Sequence, residues 1–203
     1  MMLLNKFRRG WNKLRLTLDN NYYPEYLRKQ GVKIGQNTII IYPSYVDARL
    51  PYLVEIGNNV VISLNCTILT HDSSTAFAGD MIKVGRVTIG DNCFIGANCT
   101  VLCGVNIGRN SIVGAGSVVN RDIPDGTVYG GNPIRQICET EQFVKKHQEW
   151  GEAFPFFEGR NYESTYIDTD KKQDLKEKLN KGFGYFCASL PKSKKQKELI
   201  KQF

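Results

Sequence analysis

The chain has 203 residues, 41% of them hydrophobic and 23% charged, with a formal net charge of +7. That length allows one main domain with appendages, and no apolar run approaches the ~20 residues that a membrane-spanning helix needs. The charge is uneven: residues 1–30 carry +5, residues 31–137 balance at zero and residues 138–203 carry +2, so the middle of the chain is no basic platform for nucleic acid.

The first residues, MMLLNKFRRGWNKLRL, scatter basic side chains through the apolar ones and make a poor secretory signal. A cytoplasmic protein is expected. Phe7, Trp11, Leu14 and Leu18 stand at helical spacing among Lys6, Arg8, Arg9, Lys13 and Arg15, which predicts an N-terminal helical segment within residues 1–30. Two roles stay open for it. Its apolar stripe can pack on the next domain or a neighbouring subunit, or its basic face can make a weak contact with an anionic membrane surface.

Beyond residue 30 the chain repeats every six residues. Ile34, Ile40 and Val46 form one set of unit-opening aliphatics, and Ile56, Ile62 and Ile68 form another. Ile89, Ile95, Val101, Ile107, Val113 and Val119 then run without a break. A sustained period signals a stacked architecture. An amphipathic helix would place apolar residues at i, i+3, i+4 and i+7 instead. Six residues suit one short strand and one turn, and three units make a triangular coil. Successive coils then stack at roughly 4.8 Å, with Ile89 over Ile107, Ile95 over Val113 and Val101 over Val119. Gly90, Gly96, Gly108 and Gly114 are expected to allow tight corners, and small fifth-slot residues (Cys93, Cys99, Ser111, Ser117) to fit where the prism is crowded.

Two interruptions break the period. A four-residue offset marks a bulge near Leu50–Leu53. A longer break, SSTAFAGDMIKVGR over residues 73–86, reads as a loop that leaves the stack and returns. Such excursions from a rigid repeat often carry chemistry. The predicted organisation is thus an N-terminal segment (1–30), a β-helix domain (31–137) and a C-terminal helical or extended tail (138–203). The tail holds a helical stretch near 139–153, an aromatic patch (Phe154, Phe156, Phe157) and a lysine-rich end, KSKKQKELIKQF, read as a solvated helix or disordered tail.

Six cysteines raise the question of disulfides or metal. Cys66, Cys93 and Cys99 all occupy the fifth slot, where a small residue is wanted, and no CxxC occurs. They read as small buried hydrophobes in a reducing compartment, and no metal is expected. There are two histidines. His147, in ETEQFVKKHQEW, reads as a residue on an exposed helix surface. His71 lies where the repeat gives way to the long loop. Taken alone it is a turn histidine or a base, because imidazole accepts a proton near neutral pH.

The segment VTIGDNCFIGANCTVLCGVNIGRNSIVGAGSVVNRDIPDGTVYGGNPIRQI resembles the hexapeptide-repeat acyltransferases. Within them it is most similar to the sugar O-acetyltransferases related to maltose, galactoside and capsule or O-antigen acetyltransferases. The resemblance covers about residues 31–138 and implies a mainly β fold, a left-handed parallel β-helix. That handedness is an exception to the general preference for right-handed crossovers. It implies His71 as general base, with acetyl-CoA as donor and co-substrate. It places Phe94 near the thiol end of CoA, Ala97 and Ala115 along the pantetheine arm, and Asn120 and Arg121 near the nucleotide. It sets Arg135 near the CoA phosphate, which a guanidinium suits. Asn65, Asp72 and Phe77 fall on the acceptor side. A homotrimer with each CoA groove between two chains is implied as well. The chain departs from the family pattern at Cys103, where proline is common, and at Ile134, where alanine is common.

The resulting expectation is transfer of an acetyl group to a hydroxyl of a sugar or polysaccharide precursor by direct attack, with no acyl-enzyme. The group orienting His71 is left open between Asp47, Glu55 and a backbone carbonyl. N-acetylation of an amino sugar or other small amine is the alternative. A non-catalytic β-helix scaffold and a zinc-dependent anhydrase are weaker readings, the last because zinc wants three ligands, typically histidines.

Overall fold

The computed structural model describes residues 22–47, 49–157, 167–180 and 182–186. Phe7, Trp11, Leu14, Leu18 and the KSKKQKELIKQF end lie outside them. The chain divides into two compact units, Met1–Thr140 and Glu141–Phe203.

The first unit is a left-handed parallel β-helix. Helix α1 (Tyr22–Gln30) leads into the first coil, which comprises β1 (Lys33–Ile34), β2 (Ile39–Ile40) and β3 (Tyr45–Val46). The second coil holds β4 (Val54–Ile56), β5 (Val61–Ile62) and β6 (Thr67–Ile68). The excursion then contributes β7 (His71–Asp72) and β8 (Lys83–Val84). The third coil follows with β9 (Val87–Ile89), β10 (Phe94–Ile95) and β11 (Thr100–Val101). The fourth has β12 (Asn106–Ile107), β13 (Ile112–Val113) and β14 (Val118–Val119). The unit closes with β15 (Thr127–Gly130) and β16 (Arg135–Glu139), an antiparallel pair.

The strands stack into three faces: β1-β4-β9-β12, β2-β5-β10-β13-β15-β16 and β3-β6-β11-β14, here called faces A, B and C. The aliphatic columns pair in register as the period predicts. Ile34 meets Ile56, which meets Ile89, which meets Ile107 on face A. Ile40, Ile62, Ile95 and Val113 follow on face B, and Val46, Ile68, Val101 and Val119 on face C. Nearly all are buried, each contributing roughly 1.5–3 kcal/mol of burial. Tyr23 and Leu27 of α1 and Ile134, in the turn between β15 and β16, join the same core. The Tyr23 hydroxyl donates to Ser44 O at 2.6 Å, and burial pushes its pKa up to about 12.

The corners differ from the expectation in one respect. Left-handed backbone falls in the fourth slot, at an asparagine in most units and at Gly104 and Gly116 in two, not at the second-slot glycine. Asn37, Asn59, Asn65, Asn92, Asn98 and Asn110 all have φ between 55° and 58°. Asparagine tolerates this region better than other L-residues. Four of them form a ladder: Asn37 Nδ2 donates to Asn59 Oδ1 (3.3 Å), Asn59 to Asn92 (3.1 Å) and Asn92 to Asn110 (3.0 Å). The glycines answer to close approach. A Cβ on Gly96 would stand 2.5 Å from Ala115 N, and one on Gly90 2.7 Å from Arg109 N.

The fifth slot does more than fit. Its small side chains donate across coils to carbonyls: Cys93 Sγ to Gly108 O (3.0 Å), Cys99 Sγ to Gly114 O (3.1 Å), Cys66 Sγ to Gly96 O (3.1 Å) and Ser111 Oγ to Pro124 O (2.8 Å). Burial pushes the Cys93 thiol up to about 11.

The bulge near residue 50 is a 3-10 turn, Pro51–Leu53. The 73–86 excursion is more ordered than a plain loop. It holds a 3-10 helix, Ser73–Ala78, and folds back so that β8 pairs antiparallel with β7.

In the second unit, α2 (Thr140–Ala153) is followed by β17 (Phe156–Phe157), α3 (Thr169–Lys178) and β18 (Tyr185–Phe186). His147 is not simply a surface residue there. It is half-buried, its ring 4.3 Å from Phe143 and 5.3 Å from Trp150, and its Nδ1 lies 2.9 Å from the Tyr185 hydroxyl. Phe154 stacks on Phe183 at 4.5 Å. No helix among the described residues is long and apolar enough to cross a membrane.

Candidate active site

The corner from face C to face A is where the repeat departs from six. Asp47 leaves β3 at this corner in the first coil. One coil on, Leu69, Thr70 and His71 leave β6. Stacking brings the two segments together, with Asp47 N donating to Ile68 O at 2.9 Å. The excursion begins at His71, which pairs with Val84 across β7 and β8.

Asp47 Oδ2 lies 2.5 Å from His71 Nδ1. The Asp47 side chain is fully buried, whereas that of His71 keeps 21% of its surface exposed. Burial alone would raise the Asp47 pKa. It is outweighed by hydrogen bonds from the Thr70 hydroxyl, Arg49 N–H, the His71 ring and Thr70 N–H, which hold the carboxyl at about 2. A carboxylate ionised at neutral pH can only accept, so the proton of this contact sits on Nδ1. That leaves the Nε2 lone pair free. Glu55, the other carboxylate considered, is engaged elsewhere: on the outside of face A it accepts from Lys33 Nζ at 2.9 Å.

The excursion is fastened close to this pair. Asp72 accepts from Ser74 N (2.9 Å) and Ser74 Oγ (2.7 Å), which caps the 3-10 helix. Thr75 Oγ1 accepts from Lys83 N at 2.9 Å. Phe77 is fully exposed, and Met81, Ile82 and Val84 are exposed beside it.

Five of the remaining predicted residues fall on two edges of the prism. Asn120 and Arg121 follow β14 on the same edge as Asp47 and His71, two coils beyond His71, and both are exposed. Asn65, Ala97 and Ala115 occupy the other edge, between faces B and C, in consecutive coils. Phe94 points outward from face B and is 40% exposed. Arg135 is exposed on β16, opposite Gly130. Asn65 is a corner residue of the fourth slot, at φ 57°. Cys66, Cys93 and Cys99 are buried to 2% or less, so none presents a thiol at either edge. Among the described residues no three His, Cys, Asp or Glu side chains group as metal ligands.

The six-residue period gives no mark to Thr70 and does not separate Asp47 from Glu55. The signal for Asp47 was the stacking offset. The first two coils lie 22 residues apart (Val46 on Ile68), which puts Asp47 beside Leu69 and within reach of His71.

A family model described as the hexapeptide repeat of succinyl-transferase matches residues 86–121. YvoF of Bacillus subtilis, to which acetyltransferase activity is ascribed, is 36% identical over 129 residues, which is 64% of this chain and 71% of YvoF. Protein CapG of Staphylococcus aureus is 36% identical over 137 residues, covering 64% of this chain and 78% of CapG. A solved hexapeptide-repeat acetyltransferase of Vibrio cholerae O1 biovar eltor, complexed with acetyl coenzyme A, is 25% identical. It superposes with a TM-score of 0.50 over 64% of this chain and 84% of its own. Fold and relatives together define an acyl-transfer class built on a β-helix. This chain belongs to the hexapeptide-repeat acetyltransferase family.

Proposed function

We propose that the protein is an acetyl-CoA-dependent O-acetyltransferase acting on a hydroxyl of a sugar or polysaccharide precursor, with His71 as general base. The observation that carries this reading is the Asp47–His71 pair at the root of the excursion. Acetyl-CoA as donor is supported by the Vibrio cholerae relative.

A sugar hydroxyl holds its proton until the transition state, so it needs a positioned base, worth roughly 10²–10⁴ in rate. His71 takes that proton on Nε2 as the oxygen attacks the thioester carbonyl. Asp47 holds the ring in the required tautomer and stabilises the imidazolium that forms. His71 then returns the proton to the departing thiolate, and the C–S bond is broken as the C–O bond is made. The burial of Cys66, Cys93 and Cys99 fits direct transfer without a thioester on the protein. An amine acceptor is the second reading. It gains less from this pair, because a deprotonated amine attacks without help.

The homotrimer belongs to the same proposal. Phe94, Ala97 and Ala115 lie along one side of face C and His71, Asn120 and Arg121 along the other. A donor groove with one wall from each of two chains would use both sets at once, and a three-fold ring makes three such grooves.

The test is acetyl transfer from acetyl-CoA to a panel of mono- and oligosaccharides, with His71→Ala alongside. The variant should lose 10²–10⁴ in kcat/KM while light scattering still reports a trimer and calorimetry still reports acetyl-CoA binding. An active His71→Ala would remove the mechanism. Binding of no acetyl-CoA by the folded protein would remove the donor.

A further inference from the structure

Thr70 is buried completely, and it is a polar residue that the period does not require. Both of its donors go to one atom. Its Oγ1–H donates to Asp47 Oδ2 at 2.6 Å and its N–H to the same oxygen at 3.1 Å. That oxygen also receives His71 Nδ1, so three donors converge on it, while Oδ1 accepts from Arg49 N at 3.0 Å. On its other side the Thr70 carbonyl accepts from Gly85 N at 2.9 Å, where the excursion rejoins the stack.

We infer that Thr70 is a positioning residue for the acyl-transfer reaction: its hydroxyl holds the Asp47 carboxylate against His71, and its carbonyl ties that pair to the returning end of the excursion. The inference rests on His71 being the base. A hydroxyl aimed at a carboxylate oxygen adds a donor to those that share the oxygen's charge with the His71 ring. Removing it leaves a buried carboxylate with less stabilisation of its charge. Such a carboxylate leans harder on the imidazolium, and the ring is held in its protonated form. A base that keeps its proton cannot take one. The other charged groups about His71, Asp72 and Lys83, are exposed and face each other across β7 and β8. A substitution at Thr70 leaves them in place.

Thr70→Val keeps the branched shape and puts a methyl where the hydroxyl stood. The chain has two histidines, so nitrogen-15 spectra of histidine-labelled full-length protein resolve both rings, and His71→Ala assigns them. In Thr70→Val the His71 titration midpoint should move to higher pH relative to the unmodified protein, with that of His147 unchanged. Thr70→Ser should restore it. With the best sugar of the panel, kcat should fall roughly 10- to 100-fold in Thr70→Val, with KM for acetyl-CoA unchanged. Thr70→Ala gives the same comparison should valine prevent folding. An unmoved midpoint with wild-type kcat in folded Thr70→Val or Thr70→Ala overturns the role of Thr70 while leaving His71 standing. Full activity in His71→Ala overturns the reading beneath it.

Discussion

Asp47 and His71 are 24 residues apart in the chain and 2.5 Å apart in space, the carboxylate sealed from water and the ring partly open to it. Coil stacking makes this possible. Each turn of the prism delivers the same corner to the same place, so a residue on one coil becomes the support for a residue on the next. The arrangement gives the imidazole a fixed back and a free front.

Asp47→Asn should keep the fold and lower kcat on the order of 10²-fold, because an amide at this place can offer its own N–H to Nδ1 and favour the wrong tautomer. KM for acetyl-CoA should not change. Steady-state kinetics across a range of donor concentrations would show it, and an unaltered kcat would deny Asp47 any part in orienting the ring.

Acid sensitivity follows from the same carboxylate. Its pKa falls from an ordinary 3.8 to about 2 in the folded chain. A depressed value means the stabilisation is complete above about pH 4 and is lost as the pH falls towards 2. Roughly two units correspond to about 2–3 kcal/mol. Urea unfolding at pH 7, 4 and 2.5 should show Asp47→Asn less stable by that amount at pH 7, with the difference closing at the lowest pH. A constant difference at all three would place the effect elsewhere.

Arg135→Ala should weaken CoA binding roughly 10- to 100-fold and hardly affect dephospho-CoA, if the exposed guanidinium on β16 meets the phosphate. Calorimetry with the two ligands separates the outcomes. Equal losses would move the phosphate contact to another residue.

The asparagine ladder predicts an ordering of variants. Asn92→Ala loses both ladder bonds and keeps a Cβ at φ 58° without the polar side chain that makes this region tolerable, at a cost of about 2–3 kcal/mol. Asn92→Gly loses the bonds but keeps the backbone relaxed, so about 1 kcal/mol is expected. Denaturant midpoints decide. Alanine as mild as glycine would mean that the left-handed corner imposes no demand on its residue.

Two glycines of the same sequence slot should behave differently. A Cβ on Gly96 would meet Ala115 N at 2.5 Å, whereas one on Gly114 finds its nearest neighbour, Tyr129 O, at 3.5 Å. Gly96→Ala should shift the coil or unfold it, and Gly114→Ala should be tolerated within about 1 kcal/mol. Thermal melts of the pair would expose the error if both prove silent.

Much of the fold was legible because one side chain in six carries it. The aliphatic columns from Ile34 to Ile107, from Ile40 to Val113 and from Val46 to Val119 needed only a period and a stacking rule. The role of the fourth-slot asparagines was visible as a recurrence but not as a conformation, since a six-residue count does not say which corner residue turns left-handed. His71 stood out by its position at the break. Its partner did not, because Asp47 and Glu55 are alike on paper. They separate only once the strand direction sends one to a closed corner and the other to the outer surface beside Lys33. His147 was misread for a related reason: Phe143 and Trp150 flank it on its own helix, but Tyr185, whose hydroxyl meets its Nδ1, arrives 38 residues later.

The spacing between successive coils is 22, then 33, then 18 residues on all three faces. Every change of length is absorbed at the edge joining face C to face A, and the other two edges never vary. One side of the molecule is thus free to be rewritten while two sides keep time. Novelty in such a scaffold has a fixed address: segments can be lengthened, exchanged or grafted along that seam without renegotiating the packing of a single inward aliphatic.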